Sequence, residues 1–170
     1  MALRFLTSSD MSIDIVVTCD DAVECTEEQR SQYLETGELG ALDVVRDDAT
    51  RFNIKALSPA EREQAEANAG ALTRSELGRL LWSEAPDDTT ERAKWHHDLD
   101  DDERVAMSEY QQYLNRVYVE MIRAALVSID GEPADVDQLQ MIRPEPARIQ
   151  TIGELVLHIQ RISLLGIQGK

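Results

Sequence analysis

The chain has 170 residues, enough for one domain with a real core or for a domain with a helical extension, and it carries a formal net charge of −16. That charge opposes contact with nucleic-acid phosphates and anionic membranes, and it favours solubility and steering toward basic protein surfaces. An apolar fraction of 42% excludes wholesale disorder, and the polar run Thr7–Asp10 directly after Met1–Leu6 leaves no apolar stretch for a secretion signal.

In chain order, Leu3–Leu6 is a short strand candidate. Ser12–Thr18 alternates and then turns β-branched, which predicts a half-buried strand. Thr26 with Gln29 forms a capping-box pattern at the start of a helix over Glu27–Thr36, and Gly37 is a natural stop. Gly40–Val45 reads as either a third strand or a single turn. Thr50–Leu57 alternates, with Phe52, Ile54 and Ala56 on one face, and is the clearest strand. Ser58, Pro59 and Glu61 then supply N-cap, first-turn proline and capping-box acid for a helix running to Gly70.

From there the chain reads helical. Thr73 or Ser75 opens a segment with Leu77, Leu80, Leu81 and Trp82 on one face, and Ala85–Asp88 breaks it. Thr89–Arg92 restarts a helix carrying Trp95. The longest helix is expected from about Asp100 to Ile129, with Tyr110, Tyr113, Leu114, Val117 and Met121 on its core stripe. Tyr118, Ile122 and Leu126 widen that stripe, so they are expected to meet a second helix or a partner. Pro133, Pro144 and Pro146 predict an irregular connector. Thr151, with Glu154 three residues on, is expected to cap a last helix whose strip of Ile152, Leu155, Val156, Ile159 and Ile162 either docks on the body or on a neighbour.

The expected fold is α+β, mainly α, with short N-terminal strands followed by a helical body and one long central helix. Its parts are residues 1–57 (β-rich), 58–131 (helical body), 132–150 (connector) and 151–170 (amphipathic helix), within one compact domain.

No motif here carries catalysis. Cys19 and Cys25 lack His or Cys partners at zinc spacing and read as reduced thiols. Asp98, Asp100, Asp102 and Glu109 fall at calcium-loop positions, but Glu103 stands where the sharp turn needs glycine. Asp100–Asp102 are better read as a helix start facing the positive end of the macrodipole. The adjacent His96 and His97 would point about 100° apart on a helix and share no metal easily. His158 sits alone beside the apolar strip, and Trp82 and Trp95 are read as core residues, with a binding hot spot as the other reading. No nucleophile elbow, P-loop or dinucleotide fingerprint occurs. No enzyme, cofactor or metal site is therefore expected. The residues expected to bind a partner are Tyr118, Ile122, Leu126, Leu155, Ile159 and Ile162.

The stretch Arg51-Phe52-Asn53-Ile54-Lys55-Ala56-Leu57-Ser58-Pro59-Ala60-Glu61-Arg62-Glu63 resembles a strand-to-helix junction of tailed-bacteriophage morphogenesis proteins, in particular tail assembly chaperones. The resemblance covers the first half of the chain. It implies a non-enzymatic assembly or structural protein that contacts other phage structural or assembly proteins, or itself, in the bacterial host cytoplasm or the virion. A chaperone of that family coats the hydrophobic tape-measure protein before the tail tube forms. The alternatives are an acidic inhibitor or DNA mimic, which needs its carboxylates on one continuous face, and a metal-binding enzyme centred on His96–Glu103.

Overall fold

A computed structural model of the chain describes residues 12–70 and 75–168, so the strand expected at Leu3–Leu6 and the helix start at Thr73 lie outside the described residues. The fold is α+β and mainly α, 61% helical, with short antiparallel strands and a long central helix. The chain divides into two compact units rather than the expected single domain. One is built from residues up to Ala65 together with those from Tyr118 onward, and the other is Glu66–Val117.

The first unit opens with β1 (Ser12–Ile15), which pairs antiparallel with β4 (Phe52–Lys55). Strand β1 is shorter than Ser12–Thr18 because its next peptide groups are taken by side chains. The Tyr33 hydroxyl accepts from the Val16 N–H (3.1 Å) and donates to the Val16 carbonyl (3.0 Å). Between these strands lie β2 (Val23–Glu24), α1 (Glu27–Thr36), a 3-10 turn at Leu39–Ala41, and β3 (Val44–Val45) paired with β2. Gly40–Val45 is thus both a turn and a strand. Helix α1 begins and ends as expected: the Thr26–Gln29 capping box is formed, and Gly37 stops the helix at φ +73°. Val16, Ala22, Val23, Tyr33, Leu42 and Ala49 pack into one apolar cluster around it.

In β4, Phe52, Ile54 and the following Ala56 are all buried, as the alternation required. Ser58 caps α2 (Pro59–Asn68) through Glu61, whose carboxylate accepts from the Ser58 N–H (2.8 Å) and hydroxyl (2.8 Å).

Three expectations fail after the long helix. Helix α5 (Asp101–Ala125) stops four residues early, and Leu126–Ile129 forms strand β5 on the free side of β4. Asp130 and Gly131, at φ +51° and +81°, then turn the chain tightly into β6 (Glu132–Pro133). The sheet order is β1-β4-β5-β6, so strand structure is not confined to the N-terminal third. Residues 132–150 are more than an irregular connector: they hold β6, the short α6 (Val136–Leu139) and the first turns of α7 (Glu145–Gln168). Helix α7 starts ahead of Thr151 because Pro146 falls in its first turn, where a missing N–H costs no helical hydrogen bond.

Helix α7 packs against α1, α6 and β4. Leu155, Val156, Ile159 and Ile162 are buried along it, together with the polar Thr151, Glu154, His158 and Ser163. The last helix is core. Thr151 and Glu154 do not cap it. Glu154 instead receives the Thr18 N–H (2.7 Å) and hydroxyl (2.5 Å), Arg30 Nε (3.1 Å) and Gln150 Nε2 (2.9 Å). Ser163 accepts from the Leu57 N–H (2.9 Å), tying the β4–α2 junction to α7.

The second unit holds α3 (Ser75–Glu84), α4 (Thr89–Asp98) and the N-terminal part of α5. Asp88 caps α4, accepting from the Thr90 and Glu91 N–H groups at 2.9 Å. Asp100 and Glu103 form a reciprocal capping box for α5 at 2.8 and 2.9 Å. The core of this unit is thin: Leu81, Leu99 and Met107, with Ala85 and Trp95 partly buried against them.

Candidate functional site

The residues expected to meet a partner do not form a surface. Ile122, Leu155 and Ile159 are fully buried and Ile162 nearly so, all consumed by the packing of the first unit. Tyr118 is half-buried, and Leu126, also half-buried, is held in β5 opposite Ile54. The change from helix to strand takes up Leu126, while Tyr110, Tyr113, Leu114 and Tyr118 of the wide apolar arc stay half-buried.

One exposed apolar group lies on α3, and Met141, Ile149, Leu157 and Leu164 are exposed elsewhere. The close approach of α3 to α5 decides which side chains of α3 are buried. A Cβ on Gly78 would meet the Ala106 carbonyl oxygen at 2.5 Å and Tyr110 Cβ at 2.8 Å, so a glycine is what lets the two backbones touch. Gly78 and Leu81 therefore face α5, and the flanks turn outward. Leu77, Leu80 and Trp82 are 41%, 54% and 39% exposed. On one flank, Leu77 and Leu80 run beside Glu76 and Glu84, which follow the i, i+4, i+8 line through Leu80. On the other, the Trp82 ring lies 6.2 Å from Tyr110, which lies 6.3 Å from Tyr113. The sequence places Leu77, Leu80, Leu81 and Trp82 together on one face, with Trp82 expected in the core. The signal for a different burial line was Gly78 inside an otherwise helical pattern.

Charge on this unit is ordered at helix starts. Asp88 and Asp100 spend their carboxylates on backbone N–H groups, and His96 and His97 are exposed on α4. Among the described residues, no three His, Cys, Asp or Glu side chains are grouped so as to hold a metal ion. Glu109 Oε2 is buried with no hydrogen-bond partner among the described residues.

In the first unit the titratable groups are structural. Burial alone would raise the Glu154 carboxyl, but the hydrogen bonds from Thr18, Gln150 and Arg30 outweigh it and hold the group below its ordinary value. His158 is pushed down to about 4 by burial and by the Arg161 charge, against a weaker pull from Glu154. Both its ring nitrogens lack partners among the described residues, and its ring lies 4.8 Å from that of Tyr33. Burial also raises the thiols of Cys19 and Cys25 and depresses Arg161, whose guanidinium occupies the space beside Gly37 at the end of α1.

No family model, curated protein or solved structure matches the chain. Among the described residues, no helix is long and apolar enough to cross a membrane.

Proposed function

We propose that the chain is a non-enzymatic binding protein of tailed-phage morphogenesis. It acts through protein–protein contacts, as a tail assembly chaperone or as a virion component, in the host cytoplasm during assembly. The observation that carries the binding role is the α3 flank, where Leu77 and Leu80 stand exposed between Glu76 and Glu84 over a thin core. Large apolar side chains grouped in an acidic frame suit a partner that brings both apolar contact and positive charge. The phage assignment rests on the resemblance of the β4–α2 junction, Phe52 to Glu61, to tail assembly chaperones. A nucleic-acid mimic is less well supported, because Asp88, Asp100 and Asp135 cap helices in place of lining one face.

Mass spectrometry of purified phage particles, and of the infected lysate they came from, tests the proposal. Many copies per particle identify a structural subunit. Association with tail proteins in the lysate alone identifies a chaperone. Absence from both, or a gene outside any phage genome, overturns it. The double substitution Leu77→Ser/Leu80→Ser should abolish the association while leaving the circular dichroism spectrum unchanged.

A further inference from the structure

The first unit contains a recess of about 390 Å³ that the proposed binding role does not use. Its volume is within the range of small-ligand sites. The floor is apolar, formed by Val17, Phe52, Leu139, Ile142 and Ala147. Val17, Phe52 and Leu139 are buried, so the floor is fixed by the core beneath it. Cys19 also lines the recess, and its Sγ lies 3.6 Å from the Ala147 carbonyl oxygen and 3.3 Å from Thr151 Oγ1.

Charges of both signs line this floor, and they come from different segments. The β1–β2 loop brings Asp20 and Asp21, and the α6–α7 connector brings Arg143. Asp20 is held in place by the Ala22 N–H (2.8 Å) and the Thr50 N–H (3.0 Å), one on each carboxylate oxygen. Thr50 also bonds this carboxylate through its side chain, which leaves one further lone pair for another donor. Arg143 is held through Nη1, which donates to the carbonyls of Gln140 and Ile142, both at 3.1 Å. Its Nε and Nη2 have no partner among the described residues. Beside Arg143, Pro144 and Ala147 place the first turn of the 24-residue helix α7 at the recess, where Glu145 offsets the positive end of the macrodipole and Pro146 offers no N–H. The two charged positions are therefore oriented before anything binds, which lowers the cost of binding.

We propose that this recess binds a small zwitterion with an apolar body, of the size of a free amino acid or a dipeptide. The ligand's carboxylate is received by Arg143, its ammonium by Asp20 and Asp21, and its side chain by the apolar floor. A phosphate ester fits poorly, because two carboxylates line the same recess. A purely apolar ligand would leave the charged positions unanswered. The proposal is independent of the α3 surface and of any phage role.

Titration of the ¹⁵N-labelled full chain, followed by amide shifts, tests it with L-leucine, L-phenylalanine and leucyl-leucine as probes. At least one should saturate with a Kd of about 1 mM or tighter, with shifts at Cys19, Thr50, Ala147 and Thr151. The N-acetyl and C-terminal amide derivatives of that probe should each bind about tenfold or more weakly, the loss expected for one charge-assisted hydrogen bond. Arg143→Gln should weaken the zwitterion but not its amide derivative. Asp21→Asn should weaken the zwitterion but not the N-acetyl derivative. The same spectra show whether each variant is folded. Non-saturating shifts for all three probes overturn the proposal, as do uncharged derivatives that bind as well as the zwitterion. Success with leucyl-leucine alone assigns the site to peptides, and success with a single amino acid assigns it to free amino acids.

Discussion

Replacing Glu154 should destabilise the first unit strongly at neutral pH and weakly in acid. Its carboxylate is almost inaccessible, with 2% of the side chain exposed, and it accepts from Thr18 twice, from Arg30 and from Gln150. Glu154→Gln keeps the volume but turns one acceptor into a donor facing the Thr18 N–H or hydroxyl, and removes the charge opposite Arg30. Arg30 is 32% exposed, so solvent screens its share and the Thr18 contacts dominate. With hydrogen bonds to a charged group at about 1.5–3 kcal/mol each and imperfect additivity, Glu154→Gln should cost about 2–4 kcal/mol. The folded-state carboxyl lies below its ordinary 4.5, so its contribution is complete above that value and is lost as pH falls through the lowered one. His158 feels the Glu154 charge, so its titration differs between the two proteins, and the comparison is repeated in a His158→Leu background. Urea unfolding of wild type and variant, at neutral pH and again below the carboxyl's folded value, measures both halves of the claim. A neutral-pH difference under about 1 kcal/mol would refute the reasoning, as would a difference that does not shrink in acid.

Other consequences follow from burial. The folded His158 stays neutral down to about 4 while an unfolded one takes a proton near 6.5, so it removes stability as pH falls between those values. His158→Leu should therefore move the acid-unfolding midpoint to lower pH. Gly78→Ala should force α3 away from α5 at a cost of about 1–3 kcal/mol, read as earlier hydrogen exchange within residues 75–117 than elsewhere. Val117→Ala, at a buried position, should cost about 1–3 kcal/mol in thermal or urea unfolding. Truncation after Pro146 should leave a chain without cooperative unfolding, because it deletes Leu155, Ile159 and Glu154 from the core.

The features legible in the sequence are those set by neighbours along the chain. The Thr26–Gln29 box, the stop at Gly37, the Ser58–Glu61 cap and the alternation of Phe52 and Ile54 each involve residues within a few positions. The end of α5 was hidden because Leu126 continues the helical stripe. Only the Asp130–Gly131 turn, a strong hairpin signal, marked the strand before it. Thr151 and Glu154 mimic a helix start, and nothing local shows that Glu154 answers Thr18, 136 positions away. The exposed flank of α3 depends on where Gly78 meets Ala106, which is likewise a long-range fact.

The placement of β4 between β1 and β5 bears on how the protein is made. On a ribosome, Phe52–Lys55 emerges about seventy residues before Leu126–Ile129, a gap of several seconds at typical elongation rates. During that interval β1 and β4 can pair, but the other edge of β4 is open, and the Thr18 amide still awaits a carboxylate made later still. Helices α3 and α4, closed by near-neighbour contacts, can form meanwhile. The first unit is thus completed last although it is begun first, and its half-built sheet is the species most exposed to wrong pairing in the cell.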